Sequence, residues 1–143
     1  MNILVSACLL GLACRYDGKS KPDENVIKLM DKYTLIPFCP EVMGGLSTPR
    51  PPSEIVGGKV LNQIGDEVTE QYTKGAEEAL KLAKMYNCKY AILKEKSPSC
   101  GNGIIHNGKF DGGYADGDGI TAKLLKENGI IVFGESEIKS IKI

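Results

Sequence analysis

The chain has 143 residues, of which 42% are hydrophobic and 25% charged, as expected for an ordinary globular domain. Its 18 lysines and arginines balance its 18 aspartates and glutamates, so no overall charge attracts a nucleic acid or a membrane surface. The sequence has no apolar run of about 18 residues and no signal-peptide pattern, so we expect a cytoplasmic protein without a membrane span.

Hydrophobic patterning predicts four strands that alternate with helices. The predicted strands are residues 2–7, 34–38, 90–93 and 130–133, and the predicted helices are residues 22–33, 66–86 and 118–127. Two small hairpins are predicted as insertions, one at residues 56–60 and one over residues 104–110 with an Asn-Gly turn. The segment 135–143 favours no single type of structure.

This alternation indicates the α/β class, with a parallel sheet and right-handed crossovers. We predict a single three-layer domain over residues 1–143, built on a four-stranded parallel sheet. The favoured strand order is 2-1-3-4, which leaves the first strand in the centre. The same order puts Pro37 on an edge strand, where its missing backbone N–H costs no hydrogen bond.

Five cysteines are the most informative residues: Cys8, Cys14, Cys39, Cys88 and Cys100. Their odd number and the lack of a C-x-x-C pair argue against a disulfide framework, a zinc ribbon and a thioredoxin-type motif. Cys8 and Cys39 follow the first two strands, and Cys100 lies in the loop after the third. Because a ligand crevice lies at the carboxyl ends of such strands, we expect these three thiols to converge. Cys14 remains a possible fourth ligand, and Cys88 is interpreted as structural.

The loop 94–101 carries the other candidate groups. Pro98 has a fixed φ and favours an extended Ser97, so the loop is predicted to be stiff. Glu41, two residues after Cys39, is the nearest candidate acid or base. In the simpler alternatives, Glu41 caps a helix and Ser97 closes a turn. His106, the only histidine, is predicted at a hairpin tip, so catalysis by histidine is not expected.

Three converging thiolates suit a soft metal, and an iron–sulfur cluster is a common occupant of such sites. A cubane cluster normally takes four thiolates, so three would leave one iron free to bind a substrate sulfur.

Three segments, in order along the chain, resemble the thiouracil desulfurase family. They are SACLLG with RYDG in residues 6–18, CPEV with GGL and PR in residues 39–50, and KSPSCG in residues 96–101. The resemblance implies an α/β domain that binds a [4Fe-4S] cluster through three cysteines, which match Cys8, Cys39 and Cys100. It also implies a catalytic acid/base glutamate and an assisting serine, which match Glu41 and Ser97.

The activity implied by the resemblance is desulfuration without net redox change. A small thiolated pyrimidine, such as thiouracil, would bind iron through its sulfur while Glu41 activates a water, giving uracil and sulfide. The expected partner is therefore a small thiolated molecule, with no nucleic acid and no membrane. The alternative is a cysteine-rich module that binds zinc or senses redox state without turnover. Neither the oligomeric state nor the cellular substrate follows from the sequence.

Overall fold

The computed structural model describes residues 1–140. The strands are β1 Asn2–Ser6, β2 Thr34–Phe38, β3 Ser53–Val56, β4 Lys59–Asn62, β5 Tyr90–Leu93, β6 Ile104–His106, β7 Tyr114–Asp116 and β8 Ile131–Gly134. The α-helices are α1 Glu24–Ile27, α2 Pro40–Met43, α3 Thr69–Met85 and α4 Ile120–Glu127. Short 3-10 helices cover Ala7–Leu10, Lys28–Asp31 and Glu135–Ser140.

The central sheet is parallel and has the order β2-β1-β5-β8. This order confirms the predicted arrangement 2-1-3-4. Pro37 pairs with Val5 on the edge strand β2, as its missing N–H predicts.

Both faces of the central sheet are covered, which confirms the predicted three layers. Residues on β1 alternate between the faces: Leu4 packs toward α3 and α4 together with Ala83 and Leu125. Ile3 and Val5 belong to the cluster on the opposite face, with α1 and the 3-10 helices. Strands buried on both faces read as continuous apolar runs, which is why the sequence predicted them well.

Helix α2 packs very closely against α3, and this contact positions the segment after β2. A Cβ at Gly75 of α3 would overlap the carbonyl oxygen of Pro40. Likewise, a Cβ at Gly44 would overlap the carbonyl oxygen of Gln71. Only glycine permits this approach, so the two glycines set the distance between α2 and the rest of the domain.

Several element boundaries differ from the predicted ones. The helix predicted at residues 22–33 starts as expected, with the Asp23 carboxylate accepting from the N–H groups of Asn25 and Val26. It then tightens into a 3-10 helix at Lys28. The helix predicted from residue 66 starts at Thr69. Residues 135–140 form a 3-10 helix, and the rest of the unassigned tail, residues 141–143, lies outside the described residues.

Both predicted hairpins are present, but they are longer than predicted. The first is formed by β3 and β4 over residues 53–62. The second is formed by β6 and β7, and the predicted Asn-Gly two-residue turn is wrong because the loop 107–113 joins these strands. The physical reason is the Glu54 carboxylate, which accepts hydrogen bonds from the N–H groups of Gly108 and Phe110 and holds this loop against the first hairpin. His106 is therefore the last residue of β6 and not a hairpin tip.

None of the helices within residues 1–140 has the length and apolar composition needed to cross a lipid bilayer.

Candidate active site

A cavity of about 480 Å³ lies where β1, β2 and β5 end. Cys8, Cys39 and Cys100 all line this cavity. The structure thus brings together the three thiols that were predicted from the sequence to converge. Cys8 lies in the 3-10 helix that follows β1, and Cys39 is the residue before α2. Cys100 comes from the loop after β5 and is buried.

Cys14, which the sequence left as a possible fourth ligand, also lines this cavity. Its thiol lies within hydrogen-bonding reach of the thiols of Cys8 and Cys39. The Cys39 Sγ also lies 3.7 Å from the carbonyl oxygen of Cys14. Gly11, which has a positive φ of 98°, turns the chain after the 3-10 helix and returns Cys14 to the cavity. The glycine in the loop predicted after the first strand was the sequence signal for this turn.

Cys88 lies elsewhere, as predicted. It is buried in the core cluster beneath α3, and its backbone N–H donates to the carbonyl of Ala83. It does not line the cavity that holds the other four thiols.

The donor set of the cavity fits an iron–sulfur cluster by its chemistry. The Cys39 thiol has its pKa raised well above the ordinary value by the hydrogen bond to Cys14 and by burial. Burial raises the pKa of Cys100 to about 12, although the hydroxyls of Ser6 and Ser99 oppose this effect. A metal must therefore displace protons from these thiols. Thiolate ligands select iron–sulfur clusters, zinc or copper(I).

The arrangement of side chains does not itself specify a single-ion site. Among residues 1–140, no three histidine, cysteine, aspartate or glutamate side chains are arranged to hold one metal ion. The fit to a cluster rests on the thiols of Cys8, Cys39 and Cys100, which line one cavity.

Glu41 lies in the first turn of α2, beside the cavity. The helix begins at Pro40, so the alternative in which Glu41 caps a helix starting after it is wrong. The Glu41 Oε1 accepts from Arg50 Nε at 3.0 Å, and Oε2 accepts from Ser99 Oγ at 2.8 Å. Burial, together with the nearby Glu41 charge, raises the pKa of Tyr72. The carboxylate is thus held by Arg50 and Ser99.

Arg50 lines the cavity and is a residue to which the sequence assigned no role. Its guanidinium donates to Glu41 and also to the carbonyl oxygens of Cys14, at 2.8 Å, and Ser47, at 3.1 Å. A further bond joins it to the hydroxyl of Thr48. Arg50 therefore connects the candidate acid/base to the loop that carries the fourth thiol.

We expect Arg50→Gln to lower the free energy of unfolding by about 3–5 kcal/mol, because it leaves a buried carboxylate without its counter-ion. The side chains of Arg50 and Glu41 are only 4% and 14% exposed. Urea denaturation followed by circular dichroism measures the change. As a control, Lys81→Gln breaks the exposed Lys81–Glu78 pair and should cost less than about 1 kcal/mol. A loss below 1 kcal/mol in Arg50→Gln would contradict the structural role of this ion pair.

Ser97 closes a turn, as the simpler alternative predicted. Its Oγ accepts from the backbone N–H groups of Ser99, at 3.1 Å, and Cys100, at 2.9 Å. The same oxygen lies 2.9 Å from the Ser99 hydroxyl. Ser97 therefore reaches Glu41 only through Ser99, while it also lines the cavity.

The outer wall of the cavity comes from the second hairpin. His106, Phe110 and Tyr114 line the cavity from this side, which the sequence did not predict. The rings of His106 and Tyr114 lie 5.2 Å apart, and the Lys96 ammonium lies 4.8 Å from the centre of the Tyr114 ring. Glu54 secures this wall through its two hydrogen bonds to the loop 107–113.

The fold and the cavity define an open-sheet α/β protein with a thiol-rich site at the carboxyl edge of its sheet. The model of the 2-thiouracil desulfurase family matches residues 3–137, so the chain belongs to this family. The family predicted from the three sequence segments is thereby confirmed.

Two relatives span almost the whole chain. A solved structure named [4Fe-4S]-dependent thiouracil desulfidase TudS has a TM-score of 0.89 and 45% identity, and the match covers 97% of this chain and 93% of that one. The Bacillus subtilis (strain 168) protein "Uncharacterized protein YbbK" is 46% identical over an alignment of 149 residues. The alignment covers 97% of this chain and 99% of the relative.

Proposed function

We propose that the protein is a [4Fe-4S]-dependent desulfurase that converts a small thiolated pyrimidine, such as thiouracil, into uracil and sulfide. The observation that supports this proposal most directly is a cavity lined by thiols, with an ion-paired glutamate beside it. Membership of the 2-thiouracil desulfurase family and the likeness to TudS support both the enzyme class and the cofactor. The activity is assigned to one domain formed by residues 1–143.

Cys8, Cys39 and Cys100 would hold the cluster, since each follows a strand whose end borders the cavity. Cys14 is left outside this ligand set, because the family resemblance matches only the other three cysteines of the cavity. When bound, the cluster supplies a Lewis-acidic iron that prefers a soft sulfur ligand.

The chain's own residues supply the proton chemistry. Glu41 would accept a proton from the attacking water, and its ion pair with Arg50 holds the carboxylate beside the cavity. Ser97 would assist by relaying a proton through the hydrogen-bonded hydroxyls of Ser97 and Ser99, which lead to Glu41. Overall, the water oxygen forms the new C–O bond, the C–S bond breaks, and both water protons leave with sulfur as hydrogen sulfide. The overall reaction neither consumes nor releases electrons, so it requires no reductant or oxidant.

Incubating the anaerobically reconstituted protein with 2-thiouracil should yield uracil and sulfide in equal amounts, without an added electron donor or acceptor. Chromatography measures uracil, and a colorimetric assay measures sulfide. Protein stripped of iron by a chelator is the control and should produce neither. Fully loaded protein that leaves thiouracil intact would contradict the substrate assignment. Stoichiometric zinc without labile sulfide in the native protein would favour the zinc-binding or redox-sensing alternative.

A further inference from the structure

The Ser99 hydroxyl lies between the two candidate catalytic side chains. Ser99 is 2% exposed, and its Oγ lies 2.8 Å from Glu41 Oε2 and 2.9 Å from Ser97 Oγ. A longer contact of 3.6 Å joins it to Cys100 Sγ. The sequence favoured Ser97 as the assisting serine, yet Ser99 is the one that touches the carboxylate.

Counting the available protons shows which group donates in each of these hydrogen bonds. A serine hydroxyl has one proton to donate and two lone pairs, whereas an ionised carboxylate only accepts. Ser99 therefore donates to Glu41, which is ion-paired with Arg50. The proton in the contact between the two hydroxyls must then come from Ser97. Both lone pairs of Ser97 are already used by the backbone N–H groups of Ser99 and Cys100, which independently leaves its proton free to donate.

The backbone around Ser99 holds this hydroxyl in place. Its carbonyl oxygen accepts from the N–H groups of Thr121, at 2.9 Å, and Ala122, at 3.2 Å, in the first turn of α4. A Cβ at Gly119 would lie 2.6 Å from the same oxygen, so only glycine allows the helix to approach this closely. The side chain is therefore anchored by a helix that does not itself line the cavity.

We propose that Ser99 is a positioning residue for desulfuration, one that orients the Glu41 carboxylate and the Ser97 hydroxyl as a single hydrogen-bonded unit. The inference rests on the proposed function, in which Glu41 and Ser97 act on the substrate. Without the Ser99 hydroxyl, Glu41 Oε2 loses its donor and the Ser97 proton loses its acceptor. Misplacing reacting groups by about 1 Å can cost about 100-fold in rate.

The kinetic test compares Ser99→Ala with Thr121→Val. The Ser99→Ala protein should lose about 10-fold to 100-fold in kcat for thiouracil, with KM and the iron and sulfide content unchanged. Thr121 is the matched control, because its hydroxyl is equally buried, lies in the adjoining turn and has no hydrogen-bond partner in the described part of the chain. Thr121→Val should therefore retain the wild-type kcat.

A double-mutant cycle distinguishes positioning from a separate contribution of Ser99. In a Glu41→Gln background, Ser99→Ala should lower kcat by no more than about 2-fold, because the group that it positions is already gone. An unchanged kcat in Ser99→Ala alone would overturn the proposal. A full 10-fold to 100-fold loss on top of Glu41→Gln would overturn it as well.

A spectroscopic readout on the cluster-free protein does not depend on the proposed function. Infrared difference spectra, with the Glu41 carboxylate band identified through Glu41→Gln, should show this band shifted in Ser99→Ala and unshifted in Thr121→Val. Ser99→Cys keeps the size of the side chain but offers only a weak donor, so it should also shift the band and provides the test if Ser99→Ala does not fold. An unshifted band in Ser99→Ala or in Ser99→Cys would overturn the proposal. A shifted band in a protein that does not turn over thiouracil would support the positioning of Glu41 and reject the proposed function alone.

Discussion

Replacing Cys39 with alanine is expected to remove most of the iron and labile sulfide that the wild-type protein takes up during anaerobic reconstitution, about four of each per chain. Cys8→Ala and Cys100→Ala should do the same. Each thiol lines the cavity from a different strand end, so the loss of any one leaves two ligands for a cluster that would have three. Iron and sulfide analysis, together with the visible absorption of the brown protein, measures the effect.

The remaining two cysteines serve as matched controls for this experiment. Cys88→Ala should keep full iron content, because Cys88 lies in the core beneath α3. Cys14→Ala should also keep it, although this thiol contacts Cys8 and Cys39. Loss of iron in Cys14→Ala would make Cys14 a fourth ligand and would argue against an iron open to substrate. Full loading in Cys39→Ala would contradict the proposed ligand set.

Replacing Glu41 with glutamine is expected to lower kcat by about 10²–10⁴-fold, the usual contribution of general acid–base catalysis. Glutamine has nearly the same shape and can still accept a hydrogen bond from Arg50, but it cannot take a proton from water. Because Glu41 is not proposed as an iron ligand, iron and sulfide content should remain at the wild-type level. Steady-state kinetics with thiouracil, alongside metal analysis of the same sample, separates chemistry from cofactor binding.

The control for this substitution is Glu78→Gln, which makes the same chemical change on the exposed face of α3. It should retain the wild-type kcat. Urea denaturation of Glu41→Gln must also be followed, because the neutral side chain leaves the Arg50 guanidinium without its counter-ion. If folded, loaded Glu41→Gln turned over at the wild-type rate, the general base would lie elsewhere. Glu54 and Asp17 would then be the next carboxylates to test.

The sequence by itself determined the sheet and the meeting of three cysteines. Apolar runs buried on both faces identified the strands, and Pro37 indicated which strand lies at an edge. Because parallel strands end at a common edge, the thiols of Cys8, Cys39 and Cys100 could be placed together without any knowledge of side-chain contacts. These features depend on local patterns and on general rules of topology.

Only the tertiary structure decided which side chains complete the site. Cys14 reaches the other thiols through a turn at Gly11 and a bond from Arg50, a residue 36 positions away in the chain. The bond between Ser99 and Glu41 spans 58 positions. No local pattern encodes such pairs, because they depend on how loops pack and which polar groups are left to satisfy once the core has formed. The strand-end rule therefore predicted where the thiols meet, while long-range hydrogen bonds decided that Arg50 and Ser99 orient the carboxylate beside them.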